Sequence, residues 1–279
     1  MADDNAAKVQ RIIESPSYRV AYKDVEFLMR PEMRAARLEL EFLKPDLYLH
    51  EHEVRSTIVV FGSTQIVGPA AARQRLEEAK SQLAKTPGDR RCQRAVAKAE
   101  HLLKRSHYYD VAREFARLVS EAGQAEPPCD YVIVTGGGPG IMEAANRGAH
   151  DVKAKSVGFN IRLPHEQQPN PYITPDLCFQ FHYFAMRKLH FLLRAKALVA
   201  FPGGFGTLDE LFDALALRQT GRMQAIPIIL VGREYWQHVI DFQFLADQGT
   251  VADEDLNLLD FAETAAEIWK IIRGAGNGK

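Results

Sequence analysis

The chain has 279 residues, 46% of them hydrophobic and 25% charged, which suffices for one large domain or two small ones and excludes a disordered chain. Lysine and arginine number 35 against 36 aspartates and glutamates, so the net charge of -1 gives no global field to hold DNA or an anionic membrane. The three widely spaced cysteines, Cys92, Cys129 and Cys178, include no C-x-x-C pair, which argues against a disulfide framework or a zinc site and for a reducing cytoplasm.

The N-terminus, MADDNAAKVQ, carries acidic residues and no apolar segment, and no later run approaches the roughly 18 apolar residues of a membrane span. A cytoplasmic protein without a leader, bound to neither nucleic acid nor membrane, is expected. Residues 1–55 read as an N-terminal helical extension that packs on the main body or on a partner. Within it DVEFLMRPEMRAARLELEFLKPDLYL is amphipathic, interrupted at Pro31 and ended near Pro45.

Residues 56–279 read as one α/β domain. STIVVFGST (56–64) has the pattern of a buried strand ending at Gly62 and Ser63. Two charged helical stretches follow, broken by TPGDR (86–90), and form a solvated helical insertion at 70–105. YYDVAREFARLVSEA (108–122) has the apolar spacing of a helix lying on a sheet. Strand, loop and helix then alternate, with strands at DYVIVTGG (130–137), KSVGFNIRLP (155–164), ALVAFPGG (197–204) and AIPIILVG (225–232). Helices begin near Ile141, Ala185 and Thr207, and another follows Arg233. Near-continuous Val, Ile and Leu runs between helices predict a mostly parallel, doubly wound, Rossmann-like sheet covered on both faces.

Such sheets bind ligands at the carboxyl ends of their strands, where two glycine clusters stand: TGGGPGIMEAANRGA (135–149) and FPGGFGTLDEL (201–211). Each is either a tight turn or an anion cradle, since glycine admits close backbone approach and a helix start offers free N–H groups. The dinucleotide fingerprint fails, because the sixth position of a G-x-G-x-x-G reading is Ile141 and the motif follows the second strand. No G-x-x-x-x-G-K-[ST] string occurs either, which leaves a single phosphate or a nucleoside monophosphate. Thr207 and Glu210 spell a capping box before LFDALAL, and this alone could account for both. A helix from Ala185 to Lys196 and a strand from Ala197 to Pro202 travel similar distances in opposite directions, at about 1.5 and 3.3 Å per residue. Arg187 is thereby returned to the edge that holds Gly203 to Thr207, as a ligand contact or as an ordinary surface charge. The aromatic stretch FQFHYFAMRKLHF (179–191) fits a dimer face or plain core packing. The nine histidines, HEH (50–52) and PHEQ (164–167) included, show no metal-ligand spacing.

PGGFGTLDE (202–210), the arginine of MRK (186–188) placed 23 positions before its glutamate, and TGGGPGIMEAANRGA together resemble the LOG family of nucleoside 5′-monophosphate phosphoribohydrolases, long catalogued as lysine-decarboxylase-like proteins. NIRLPHEQQPNPYI (160–173) is similar to its longer bacterial branch, and the resemblance runs from about Ser56 to Arg273. It implies a Rossmann-like fold, a homodimer or higher homo-oligomer, and hydrolysis of the N-glycosidic bond of AMP or a cytokinin riboside 5′-monophosphate to free base and ribose 5-phosphate. By the same resemblance, Arg187 and Glu210 match the catalytic pair and Gly203, Gly204, Gly206 and Thr207 the phosphate loop. Gly136, Gly137 and Gly138 lie beside that loop, and Ser63 matches a nucleotide contact. Lys188 reads as an anion contact and Glu166 as a contact to ribose or base. No cofactor or metal is expected, as no lysine stands in a pyridoxal-phosphate setting. The dipole of the helix near Thr207 is expected to hold Glu210 ionised, for a base or electrostatic role. A nucleotide-monophosphate sensor without hydrolysis is the alternative.

Overall fold

A computed structural model describes residues 2–162 and 168–276. The chain divides into two units, Met1–Lys44 and Pro45–Lys279. The first holds α1 (Ala2–Glu14), α2 (Val25–Leu28) and the start of α3 (Arg34–Glu51). Asp24 caps α2, its carboxylate accepting the N–H of Phe27 at 3.0 Å. Arg37 donates to the carbonyls of Leu28 and Arg30 at 2.5 and 2.7 Å, fixing the turn at Pro31 that leads into α3.

The expected helix end near Pro45 is corrected, because α3 continues through Pro45 to Glu51. A mid-helix proline costs on the order of 3 kcal/mol. Tertiary anchoring outweighs that cost: Leu49 is 1% exposed and Asp46 pairs with Arg194 at 2.7 Å.

The second unit continues with β1 (Thr57–Phe61), α4 (Pro69–Lys85), α5 (Arg90–Arg105) and α6 (His107–Gly123). Then come β2 (Val132–Thr135), α7 (Ile141–Asp151), β3 (Ser156–Ile161), β4 (Cys178–Phe181), α8 (Phe184–Leu193) and β5 (Ala195–Ala200). The chain closes with α9 (Phe205–Gln219), β6 (Ile228–Val231), α10 (Arg233–Val239), α11 (Phe242–Asp247), β7 (Leu259–Ala262) and α12 (Ala265–Gly276). The strands form one seven-stranded sheet in the order β4-β3-β2-β1-β5-β6-β7, every neighbouring pair parallel. The fold is therefore the doubly wound, Rossmann-like α/β architecture expected.

Why the strands read as unbroken apolar runs follows from the two-residue period of a strand. Along β1, Ile58 and Val60 pack into one core with Phe115 of α6, Ile141 of α7 and Ile268 of α12. Val59 and Phe61 point the other way, into a second core with Phe191 of α8, Leu211 of α9 and Trp236 of α10. Both faces are covered by helices, so apolar residues dominate each, with Thr57 the one polar residue of β1. α4 and α5 form the hairpin of the 70–105 region, with Asp89 capping α5 through the N–H of Arg91 at 2.7 Å.

Three expected boundaries shift. α8 ends at Leu193 and β5 begins at Ala195, and α9 starts at Phe205 rather than near Thr207. Strands β4 and β7 were not among those expected. The aromatic stretch 179–191 resolves into β4 and α8, whose Phe179, Phe181 and Phe191 lie in the second core.

The helices of the first core are packed backbone to backbone at Gly148 of α7, where a Cβ would run into the carbonyl oxygen of Arg113 on α6. Gly148→Ala is therefore expected to destabilise the fold by roughly 1–3 kcal/mol through overpacking, read as a lower midpoint of urea unfolding. An unchanged midpoint would show that α6 and α7 can separate without cost.

Candidate functional site

From β1 the sheet is extended to one side through β2 and to the other through β5, so the chain diverges between β1 and β5. Ligands of open α/β sheets sit at the carboxyl end of such a switch point. A cavity of about 390 Å³ opens there, walled by Ser63 and Gln65 after β1, Arg187 of α8, and Gly204, Thr207 and Glu210 at the start of α9.

Ser63 holds the walls together. Its N–H donates to the carbonyl of Pro202 at 2.9 Å, its carbonyl accepts the N–H of Ile141 at 3.1 Å, and its hydroxyl accepts the N–H of Gln65 at 3.0 Å. The turns after β1, β2 and β5 are thus tied at one residue. Gly140 has a φ of 73°, and a Cβ there would collide with the Ser63 carbonyl, so only glycine lets α7 start this close to β1.

The capping box read from Thr207 and Glu210 is corrected. α9 begins two residues before Thr207, its N-cap is Gly204, and no side chain caps it. The N–H groups of Thr207 and Leu208 turn back to the Gly204 carbonyl, each at 3.0 Å. The amides before them are the ones a helix start leaves without internal partners. Thr207 is buried with its side chain against Gly203, where a Cβ would overlap Thr207 Oγ1. Tyr235 of α10 donates its hydroxyl to the Gly203 carbonyl at 2.5 Å. φ is positive at none of Gly203, Gly204 and Gly206, but at Gly204 and Gly206 a Cβ would meet nothing within 4 Å among the described residues. The fold gives no reason for glycine at these two positions, whereas close approach of a ligand to the backbone would.

Glu210 lies one turn further along α9, 6% exposed. Arg187 Nη2 stands 3.9 Å from Glu210 Oε1. The guanidinium lies over the rings of Phe184 and Phe191, 5.7 and 5.2 Å from their centroids, and its buried Nε has no hydrogen-bond partner among the described residues. Burial lowers the Arg187 pKa against the pull of Glu210, and burial pushes the Glu210 carboxyl up to about 7 against the pull of Arg187 and Lys188. The expectation that the helix dipole holds Glu210 ionised is therefore corrected. The dipole acts within the first turn of a helix, which Glu210 has passed, and desolvation of a nearly closed carboxyl dominates. Near neutral pH this side chain is poised to hold or release a proton.

The remaining expected site residues are placed differently. Lys188 Nζ binds Asp209 at 2.8 Å and lies 3.9 Å from Asp213, and it borders a neighbouring cleft rather than the cavity at Arg187. Gly136 does approach the pair, since a Cβ there would sit 3.3 Å from Arg187 Nη2. Gly137 and Gly138 are turned to the interior, where their carbonyls accept from Asn170 Nδ2 at 3.2 and 3.1 Å. Asn170 Nδ2 also donates to Asn146 Oδ1 at 2.9 Å, and Thr135 Oγ1 donates to the same oxygen at 2.7 Å. This buried network fixes the turn and does not line the cavity. Glu166 lies outside the described residues.

Sequence reading missed Gln65, Met142 and Phe184, which border the cavity, and Tyr235, which braces Gly203. Phe184 is 52% exposed, and an exposed aromatic at the start of a helix is the signal that could have marked it. Among the described residues no group of three or more His, Cys, Asp or Glu is arranged to hold a metal, and no helix is long and apolar enough to cross a membrane.

The chain is similar to known proteins in sequence and in fold. The profile of the family described as "Possible lysine decarboxylase" matches residues 142–272, the stretch that holds Arg187, the glycines of the β5 turn and Glu210. The chain is similar to the cytokinin riboside 5′-monophosphate phosphoribohydrolase LOG of Oryza sativa subsp. japonica, 25% identical over 169 residues. That alignment covers 59% of this chain and 66% of the rice protein, just under two thirds of its length. Among solved structures it is similar to the X-ray structure of a structural genomics target, 22% identical with a TM-score of 0.46, covering 78% of this chain and 99% of the other. It is also similar to the molybdenum cofactor binding protein of the phototrophic bacterium Rippkaea orientalis, 20% identical with a TM-score of 0.43, covering 61% and 88% of the two chains. In its family profile, its curated relatives and the motifs around Arg187 and Glu210, the chain is similar to the LOG family.

Proposed function

We propose that the chain is a nucleoside 5′-monophosphate phosphoribohydrolase that cleaves the N-glycosidic bond of AMP or an N6-modified adenosine monophosphate. The observation that carries this reading is the buried pair of Arg187 and Glu210, 3.9 Å apart, facing one cavity with the glycine start of α9. The rice relative is named for an activity of the same kind.

The 5′-phosphate is seated on the uncapped amides of α9 beside Gly204 and Gly206, where the helix dipole favours an anion. This anchoring sets the ribose against Glu210. Cleavage builds positive charge on the sugar and negative charge on the departing base, as in glycoside hydrolysis. Ionised Glu210 stabilises the sugar cation and takes a proton from the water whose oxygen bonds to C1′, while the C1′–N bond breaks and that proton passes to the departing base, restoring the carboxylate. Arg187 holds Glu210 in place and offers its unpartnered donor to the sugar hydroxyls. Residues 56–279 constitute the catalytic domain, with 1–55 as an extension and 70–105 as an insertion. We place the enzyme in the cytoplasm as a homodimer, for which the exposed Leu189 and Leu193, four positions apart on α8, offer apolar surface.

Glu210→Gln is expected to lower kcat for adenine release from AMP by about 10²–10⁴ with an unchanged circular dichroism spectrum; normal turnover would remove Glu210 from the mechanism. Adenosine is expected to be cleaved on the order of a hundredfold less efficiently than AMP, because it lacks the charge-assisted anchor, and equal kcat/KM values would contradict the seat on α9. With the carboxyl at about 7, the active ionised form is lost as pH falls, so kcat/KM should rise from pH 5.5 to pH 8 with a limb near neutrality. A flat profile over that range would exclude Glu210 as the titrating group. If AMP raises the melting temperature while no adenine appears, the site binds nucleotides without hydrolysis.

A further inference from the structure

A second cavity, of about 580 Å³, adjoins the first and shares Ser63, Gln65 and Gly204 with it as a dividing wall. On its far side stands α5 of the hairpin, presenting Lys98, His101 and Arg105. These residues are three and seven positions apart, a spacing that sets them on one face of a helix. The hairpin is held in this position by Leu102, which packs against the first core, and by the buried Ala72 and Leu76 of α4. The Arg105 guanidinium lies over the ring of Tyr235, 5.3 Å from its centroid, and Tyr235 in turn bonds the Gly203 carbonyl at 2.5 Å. The basic face is thus mechanically joined to the glycine turn. No carboxylate lines this cavity among the described residues; Glu234 borders the next cleft, which it shares with Arg105.

Lys98 and Arg105 bring like charges to one cavity that no carboxylate lines among the described residues, and His101 adds a hydrogen-bonding ring, so an anion is the ligand these groups suit. The first cavity is already of a size to enclose a nucleoside monophosphate. The space behind Gly204 adjoins the seat on α9 across the wall of Ser63, Gln65 and Gly204.

We propose that Lys98, His101 and Arg105 form an anion subsite that holds a second phosphoryl group of the bound nucleotide, so that the chain takes nucleoside 5′-diphosphates more tightly than monophosphates. The proposal rests on the phosphate seat at Gly204 argued above, and adds to it a ligand class that this seat alone would not select.

Isothermal titration of the full chain with AMP, ADP and inorganic pyrophosphate tests it. ADP is expected to bind about tenfold more tightly than AMP, the gain of one charge-assisted contact set. In the double variant Lys98→Gln/Arg105→Gln that gap closes, and pyrophosphate binding weakens by a similar factor. The single variant Lys98→Gln, altered only at an exposed position, narrows the gap by about threefold and guards against a folding defect in the double variant. Equal affinities for ADP and AMP in the native chain would overturn the subsite, as would a preference for ADP that survives the double variant. Inorganic phosphate binding to AMP-saturated protein without any preference for ADP would also overturn it, by making the occupant a free anion. If the native chain shows the ADP preference and its loss, yet releases no base from AMP, the subsite stands and the phosphoribohydrolase reading falls.

Discussion

Both backbone groups of Ser63 are bonded to neighbouring turns, the N–H to Pro202 after β5 and the carbonyl to the N–H of Ile141 at the start of α7. Three strand ends are thereby held at one point, and everything proposed for the site follows from their spacing. Were the turn after β1 free, α9 and α7 would still cover the sheet, because their apolar faces are fixed by the two cores. The gap between Arg187 and the glycine turn would no longer be set. The tie costs no side-chain entropy, since it is built from main-chain groups that need partners in any case.

Against this rigid frame, the Arg187 and Glu210 pair is electrostatically uneasy. Both groups are shielded from water, and their separation of 3.9 Å exceeds that of a direct hydrogen bond. Attraction between them opposes burial but does not overcome it, which is why both pKa values move towards the neutral forms. A fully hydrogen-bonded pair would be more comfortable and chemically inert. The arrangement found leaves the Arg187 Nε and the Glu210 carboxyl with unused capacity that a sugar and a water can take up.

Much of the architecture was legible in the residues because burial on both faces makes strands such as TIVVF and IILV almost wholly apolar. The edge strands were not. β4 reads CFQF and β7 reads LDFA, each only four residues long with a polar or charged residue inside the run, so their runs resemble loop or helix. Pro45 misled for a related reason, since propensity is local and the anchoring of Leu49 and Asp46 is not. At the site, the positions of Arg187 and Glu210 were recoverable from chain geometry, because a helix and a strand of matched length must return to the same edge. The state of Glu210 was not, as it depends on burial supplied by elements distant in sequence. The two glycine clusters looked alike on paper and serve differently. Gly137 and Gly138 face Asn170 in the interior, while Gly204 and Gly206 face open space.

That last contrast bears on how sequence variation in this chain should be interpreted. At Gly140 and Gly203 an added methyl group collides with the protein itself, so a damaging substitution there reports on folding and is silent about chemistry. At Gly204 and Gly206 the methyl group meets only open space, and damage would need an outside molecule to explain it. Within one turn of about four residues, Gly203 therefore measures the scaffold and Gly204 measures the occupant, and a survey of tolerated changes that averages over the motif would erase the distinction.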